Sequence, residues 1–442
     1  MASPAGAPGL YHPRAYDTGE PVPTWWRESA GPPPHFGALN GDADVDTAII
    51  GGGITGLSAA LHLARDHAIK PVVLEAGEIG WGASGRNGGF CVAGGAKRSP
   101  AAIVRDHGAD QAAAFDRLAH GAVHRVARIL EDEAIDAEVQ PGGETLFAHS
   151  RRMFDLLRQD AAKGAQVLTP DDLRAHGMNA AYHGAVREPA GFGLHPLRYV
   201  RGLAAAATRH GAVVHPSTPV VRWERDGTRH ILATPRGTVR SAKLIVAAGA
   251  YQPETLSPEL AGRVLPVQSN ILVTRPLTEA ERQAQGWTST AVAFDSFELL
   301  HYFRLLPGNR FLFGGRGGLS ASPGAAAAFR ARLTRDFHRR FPAWRDVAIS
   351  HFWSGLVDLS ADLLPHCAAL DETTFHACAY HGNGVALGTE MGAQLALLAT
   401  AGSAPALPGF MRRPPPRFVL PSLRKAYLAG ALSFYALKDA VS

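Results

Sequence analysis

Apolar positions along this chain change rhythm repeatedly, and the rhythm predicts where its strands and helices lie. Val45–Ile50 is an apolar run of strand length; Ile54, Leu57, Leu61 and Ala64 then recur at helical spacing; Pro71–Leu74 is a second strand-length run closed by Glu75. Residues 101–134 predict mostly helix, with a surface helix from about Asp110 to Glu133. Thr169 reads as a cap with Pro170 at the first helical position, and Leu197–His210 is a further helix. Val213–Val214, Val220–Trp223 and Leu244–Ala248 predict strands, the last ending at Gly249.

The pattern shifts near Pro266. Leu265–Arg275 alternates as a strand does, Phe297–Leu306 and Phe311–Gly315 flank Pro307–Arg310 as a β-hairpin, and His351–Val357 predicts one more strand. Thr374–Tyr380 returns to a buried strand, with a helix after Gly384 and a last helix over about Leu423–Lys438 beyond Pro414–Pro416. Residues 1–43 are rich in Pro and Gly and read as an extended arm anchored by Trp25 and Trp26. A buried parallel set of strands and a later, largely antiparallel set imply an α/β chain with an α+β second domain.

At 442 residues the chain exceeds a single hydrophobic core, so two domains are expected. Apolar content of 46% with 19% charged residues is that of a folded globular protein. The net charge of +5 is scattered; basic clusters are short, such as Arg339-Arg340 and Arg412-Arg413, and no basic stripe interleaved with aromatics marks a nucleic-acid partner. Mild positive charge suits a carboxylate substrate instead. Cys91, Cys367 and Cys378 are an odd, widely spaced set without a CxxC, which predicts neither a disulfide framework nor a zinc site and fits a reducing cytoplasm. The N-terminus has no basic and apolar leader pattern, and no apolar run approaches the roughly 20 residues that span a bilayer, so neither a signal peptide nor a transmembrane segment is expected.

Chemistry enters at Gly51-Gly52-Gly53-Ile54-Thr55-Gly56, a G-x-G-x-x-G set between strand and helix, with Glu75 closing the next strand. Gly51 permits the tight turn, Gly53 lets the backbone approach a pyrophosphate, and Gly56 lets helix and strand pack closely. The helix start offers unpaired N–H groups and the positive end of its dipole to phosphates. Glu75 accepts from ribose hydroxyls and disfavours a 2′-phosphate. The bland alternative is a glycine-rich turn that binds nothing. Gly77–Gly89, GEIGWGASGRNGG, is too glycine-rich for regular structure and suggests backbone pressed against a large planar ligand, with Trp81, Ser84, Arg86, Asn87 and Gly88 in the loop.

With these runs the chain resembles the FAD-dependent superfamily of D-amino-acid oxidase, glycine oxidase and sarcosine oxidase, and looks closest to its γ-glutamylputrescine-oxidase-like branch. GGGITGLSAALHLA followed by VVLEAGEIGWGASGRNGG carries most of the likeness; His195–Tyr199, Lys243–Tyr251, Leu312–Arg316 and Tyr380–Ala386 extend it over nearly the whole chain. The resemblance implies a Rossmann-type FAD domain, discontinuous over 44–100, 190–260 and 366–442, and a substrate domain over 101–189 and 261–365. It places Ala76, Val220, Ala248 and Gly249, and the turn Gly382, Asn383, Gly384, Val385 and Ala386, with the residues above at the cofactor. A helix start at that turn supports negative charge arising on the flavin pyrimidine. It also implies C–N bond oxidation, with hydride passing from a neutral amine's α carbon to flavin N5 and the imine then hydrolysing.

Two departures qualify the resemblance. Sarcosine oxidases carry a flavin-linking cysteine near Trp353, where this chain has Phe352-Trp353-Ser354, so FAD is expected to be non-covalent. Their oxygen-activating lysine aligns with Leu312, leaving oxygen or another electron acceptor open, with Lys97 as a conceivable substitute or a plain surface lysine.

Tyr302 and Arg304 lie two apart on the hairpin and share a face, where an arginine fork and a tyrosine hydroxyl suit an amino acid carboxylate; a cross-strand pair on a solvated face is the alternative. Arg86 and Arg316 are further candidates for such a contact, or partners of structural acids. His381 beside Asn383 is a functional candidate or an orienter of its loop. Asp358, Asp362 and His366 lack the further ligands a metal needs, and no metal is expected. A NAD-dependent dehydrogenase would share the first βαβ unit but leaves GASGRNGG unexplained; a non-catalytic FAD-binding subunit of an assembly is the other competing class.

Overall fold

The computed structural model describes residues 10–162 and 164–441. Ala43–Ile50 lies at the centre of the first sheet, and its last four residues are buried. It pairs in parallel with Val72–Leu74 on one side and Gly237–Val246 on the other, in the register Ala48–Val72 and Ala48–Leu244. Val213–His215 extends the sheet beyond Val72–Leu74, and Thr374–Cys378 beyond Gly237–Val246, both in parallel. Strands buried on both faces read as continuous apolar runs, which is why these segments stand out in the sequence.

The helix Ile54–His67 crosses between the first two strands and is apolar around most of its circumference, because it is covered on all sides. It packs against Ala386–Ala401 and Pro196–Arg209. Residues 101–132, expected in the substrate domain, fall in two helices, Pro100–His107 and Ala109–Asp132. The longer one packs on Ala386–Ala401, and its Phe115, Leu118, Val123 and Val126 join the same apolar core as Leu57 and Leu61. The apolar stripe announced a helix; the partner it would find was not legible. The strand expected over Val220–Trp223 runs instead over Arg222–Asp226, in a hairpin with Arg229–Thr234.

The second sheet holds eight strands among the described residues, in the order Ile349–Leu359, Leu265–Thr274, Arg310–Arg316, His301–Leu306, Val292–Asp295, Glu144–Phe147, Ala185–Glu188 and Gln166–Leu168. The hairpin around Pro307–Asn309 is present, with Tyr302 opposite Gly314 and Arg304 opposite Leu312. Alternation gives the sheet two unlike faces. Phe303, Phe311 and Phe313 point one way into an aromatic core with Trp287, Phe337 and Phe341. Tyr302, Arg304, Gly314 and Arg316 take the opposite parity, toward the first domain.

The N-terminal arm is tied down where it passes between domains; its first nine residues lie outside the described set. Thr24 caps a short helix, Trp25–Ser29, and Trp26 is 1% exposed. The Trp26 indole N–H donates to the Asn87 carbonyl at 2.8 Å.

Candidate functional site

The site residues meet where the carboxyl ends of the parallel strands and the loop after Glu75 approach the polar face of the second sheet. The glycine turn follows the first strand. Gly51 has φ +107°, and a Cβ there would lie 2.7 Å from the Ala247 carbonyl oxygen, so only glycine fits. A Cβ on Gly56 would fall 2.0 Å from the Gly51 carbonyl oxygen, which is the close helix–strand approach expected of that position. Gly53 begins the helix with no side-chain cap of its own. A Cβ on it would meet Ser84 Oγ at 2.8 Å, and that hydroxyl accepts the Ile54 N–H at 2.9 Å. The helix start thus faces the loop that follows Glu75.

Glu75 closes its strand with both carboxylate oxygens on backbone N–H groups, Gly52 at 2.6 Å and Gly77 at 2.9 Å. Burial raises its pKa, and these two bonds and a third from the Ala76 backbone oppose the rise. Thr55 Oγ1 donates to the Tyr380 hydroxyl at 3.0 Å, which ties the first helix to the returning segment.

The glycine-rich loop is built around Arg86. Its Nε donates to the Trp81 carbonyl at 2.8 Å, its Nη1 to the Ser354 carbonyl at 3.2 Å, and the guanidinium lies 4.4 Å from the Trp81 ring centroid. With its donors on backbone, Arg86 staples the loop to the roof strand Ile349–Leu359. Asn87 bonds the Ala83 and Ser84 carbonyls and accepts the Gly89 N–H at 2.7 Å, so it shapes the turn that delivers Gly88. The Trp353 indole N–H donates to the Arg86 carbonyl at 2.8 Å, a second tie between the loop and the roof strand.

The segment Ala379–Ala386 forms the far wall. Ala379, His381 and Gly382 have φ of 65°, 52° and 102°. Two non-glycine residues in the left-handed region are strained, and a buried acid holds the turn: Asp358 Oδ2 accepts the Ala379 N–H at 2.8 Å. Asn383 Nδ2 donates to the Ala93 carbonyl at 3.0 Å, and the helix Ala386–Ala401 begins just after Val385. Ala248 and Gly249 lie at the end of the Gly237–Val246 strand, where Gly249 opens a tight turn. Gly384 precedes the helix, and a Cβ on it would make an ordinary contact with the Tyr380 ring at 3.5 Å.

Three residues are placed otherwise than expected. His381 is 1% exposed; its Nδ1 donates to the Gly95 carbonyl at 2.7 Å, and Nε2 lies 3.3 Å from Ser360 Oγ. Burial drives its pKa down to about 3, so it is a neutral clamp between two backbone segments, without a free nitrogen for catalysis. Arg304 does share a face with Tyr302, but is 1% exposed and bonds the Gly88 carbonyl at 3.0 Å, the Leu194 carbonyl at 2.6 Å and Gln140 Oε1 at 3.0 Å. These contacts occupy its fork, so it fixes the loop rather than awaiting a carboxylate. Val220, expected at the cofactor, has its side chain in an apolar cluster with Ala48, Leu74 and Val246.

Tyr302 lies against Gly88 and crosses Gly314, where a Cβ would come 2.2 Å from the ring. Its hydroxyl pairs with Ser269 Oγ at 2.8 Å, and burial pushes its pKa up to about 12, so it stays protonated and can donate. Arg316 lies two residues beyond Gly314 on the same face. Ser269, Tyr380 and Asp358 went unrecognised as site residues, because each earns its place through a partner distant in sequence. Asp362 pairs with His366 at 3.0 Å, and no cluster of three or more metal-ligating side chains exists among the described residues.

Uncapped helix start, glycine turn, strand-end acid and a second helix start across the crevice fit an extended dinucleotide. The comparisons agree. The profile of the FAD dependent oxidoreductase family matches residues 46–398. Gamma-glutamylputrescine oxidoreductase of Escherichia coli is 28% identical over 437 residues, covering 95% of this chain and 99% of that one. A probable oxidoreductase, OrdL, of Haemophilus influenzae is 29% identical over 379 residues, 83% of this chain and 86% of that one. Among solved structures, glycine oxidase from Geobacillus kaustophilus superposes with a TM-score of 0.67 at 22% identity, over 81% of this chain and 95% of that one.

Proposed function

The chain belongs to the FAD dependent oxidoreductase family, and from that premise we propose that it oxidises the C–N bond of an amine or amino acid, with FAD held non-covalently. The observation that carries the reading is a juxtaposition: the dinucleotide turn meets the glycine-rich loop at Ser84, and a polar, tyrosine-bearing sheet face lies against that loop at Gly88. There Gly51–Gly56 and the first helix start would take the pyrophosphate, Glu75 the ribose, Ser84–Gly88 the ring edge, and Gly382–Ala386 the pyrimidine end. Bound there, FAD supplies the two-electron acceptor that takes a hydride from the carbon beside the nitrogen. The protein's share is positioning. Tyr302 offers a protonated hydroxyl to a substrate lodged under the sheet, Arg304 and Asn87 hold the Gly88 turn in place, and His381 with Asp358 fixes the far wall.

The amine must reach the crevice neutral, since its lone pair assists departure of the hydride, so no dedicated base need sit beside it. The product imine takes up water and separates into a carbonyl compound and an amine or ammonia. The E. coli relative's name makes a γ-glutamyl polyamine one candidate substrate, and a secondary or D-amino acid is another. Three buried free cysteines suit a reducing, cytoplasmic location, and among the described residues no helix is long and apolar enough to cross a membrane.

Trapping of the carbonyl product with a hydrazine reagent, over a panel of amines and amino acids, tests the reading. Product should form with at least one class, and comparing air with an anaerobic dye acceptor separates oxidase from dehydrogenase. Acid precipitation should release FAD into the supernatant; flavin retained on the pellet would refute non-covalent binding. Gly53→Val should leave the protein without flavin, because its side chain collides with Ser84 at the phosphate end.

A further inference from the structure

The stretch from Phe410 onward lies beyond residues 46–398, which the family profile matches, and it gathers two features. One is charge. Residues 410–442 hold six basic side chains, Arg412, Arg413, Arg417, Arg424, Lys425 and Lys438, against one acid, Asp439. Their balance of +5 equals the formal net charge of the whole chain, so residues 1–409 are neutral overall. The other is exposed apolar surface. Val419 is 78% exposed, Leu437 66%, Phe434 63% and Leu420 60%, with Leu423 and Tyr427 between them; no large apolar residue elsewhere among the described residues exceeds 47%.

The fold holds these side chains out. Helix Arg424–Val441 turns Leu428 and Leu432 inward, onto a cluster with Tyr11, Leu265 and Leu356. Tyr427, Phe434 and Leu437 share its outer side with Leu423 just ahead, at steps of four, seven and three residues that make one stripe. The helix is therefore apolar on both sides, which is the pattern of a covered helix. Ahead of it Leu420 has φ +50°, an outlier for a bulky side chain. That turn is fastened by the Leu423 N–H on the Leu420 carbonyl at 2.8 Å, the Tyr427 hydroxyl on the Val419 carbonyl at 2.6 Å and the Phe418 N–H on the Gly262 carbonyl at 2.9 Å. The far end is tied down by Asp439, which accepts the Glu298 and Leu299 N–H groups at 2.8 and 2.9 Å.

Three of the six cations meet acids: Arg413 lies 3.6 Å from Asp362, Arg424 lies 2.8 Å from Glu254, and Lys438 pairs with Glu298. Arg412 bonds only the Pro405 and Leu407 carbonyls. Arg417 and Lys425, before and after Val419-Leu420 in the chain, are exposed and make no ion pair or side-chain hydrogen bond among the described residues. Protruding apolar groups among uncompensated cations fit a partner that is negative at its surface and apolar beneath it. A second copy of this chain would set like charge against like charge.

We propose that the outer stripe of this helix and the Val419–Leu420 turn dock the protein on an anionic lipid surface, with the helix lying in the plane of the interface. The apolar side chains enter the boundary between headgroups and acyl chains, and Arg412, Arg417 and Lys425 stand at the lipid phosphates. The docking is peripheral, since among the described residues no helix is long and apolar enough to cross a membrane. It does not depend on which reaction the protein catalyses.

Flotation of the flavin-loaded protein with vesicles tests this, using phosphatidylcholine alone and phosphatidylcholine mixed with phosphatidylglycerol. The protein should float with the mixed vesicles and stay behind with the neutral ones. Raising salt from about 0.1 M to about 1 M, which shortens the screening length from roughly 10 Å to roughly 3 Å, should release most of it. Arg417→Gln combined with Lys425→Gln should weaken binding about 30-fold. Phe434→Ser combined with Leu437→Ser should weaken it at least about tenfold. Flavin content and melting temperature should stay at the wild-type level in both, because the four side chains are exposed and lie outside the flavin site. Equal flotation with both kinds of vesicle would overturn the anionic partner, and flotation with neither would overturn lipid docking. Unchanged binding in both double variants would reject this surface. A wild-type dimer seen by light scattering, made monomeric by Phe434→Ser with Leu437→Ser and indifferent to vesicles, would assign the face to a second copy instead.

Discussion

The two faces of the second sheet are made by the same strands and have opposite characters. Phe303, Phe311 and Phe313 are fully buried on one face, packed edge-on or tilted against Trp287, Phe337 and Phe341 with ring centroids 4.8–6.1 Å apart. One residue away in each strand, Tyr302, Leu312 and Gly314 face the crevice, along with Arg304 and Arg316. The aromatic face is redundant, since each phenylalanine ring has several neighbours and none has a polar duty. The crevice face is sparse: glycines make room, and each polar group has a particular partner. The difference teaches that strand alternation separates stability from chemistry within a single hairpin. Substitutions on adjacent residues should therefore fail in different ways.

The strongest contrast is Phe303→Ala. It should cost about 3–5 kcal/mol of unfolding free energy, because a buried ring leaves a cavity that its neighbours fill only in part. The protein that remains folded and flavin-loaded should turn over normally; denaturant melts and kinetics normalised to bound flavin read both. Arg304→Met comes next. It leaves the Gly88 and Leu194 carbonyls and Gln140 without their donor, a loss of about 3 kcal/mol with weaker flavin retention. Unchanged stability with a collapse of kcat/KM would mean instead that Arg304 touches substrate, and the division between a structural and a chemical arginine would be lost. Gly314→Ala should displace the Tyr302 ring and lower kcat/KM by about 30-fold while scarcely moving the melting temperature. Tyr302→Phe, which keeps the ring and removes the hydroxyl, should lower kcat/KM by about tenfold; an equal effect on stability would place Tyr302 with the aromatic face.

Much of this was legible in the sequence where the signal is local. The strand, glycine turn, helix and Glu75 lie within about thirty residues, and each glycine answers to a clash its neighbours impose. The two-residue spacing of Tyr302 and Arg304 was enough to set them on one face. It could not say what Arg304 would meet, because Gly88 and Leu194 are 216 and 110 residues away in the chain. For the same reason the sequence could not say what Asp358 would meet, since its partner is the Ala379 turn 21 residues on. His381 misled because a histidine beside a turn expected at the cofactor looks chemical, while burial and its contacts with the Gly95 carbonyl and Ser360 make it a clamp. The helix Ala109–Asp132 shows the same limit at the level of the fold, since an amphipathic stripe does not name the surface that will cover it.

The account stands most directly on whether an amine can pass electrons to the bound flavin. The decisive measurement is the visible spectrum of the purified, flavin-loaded protein mixed anaerobically with a panel of secondary amines, D-amino acids and γ-glutamyl polyamines. The account predicts bleaching of the flavin band by at least one of them, faster as pH rises through the range where the amine loses its proton, and none by a nicotinamide donor. A flavin that dithionite reduces but every amine leaves untouched, or that only a nicotinamide donor bleaches, would contradict it.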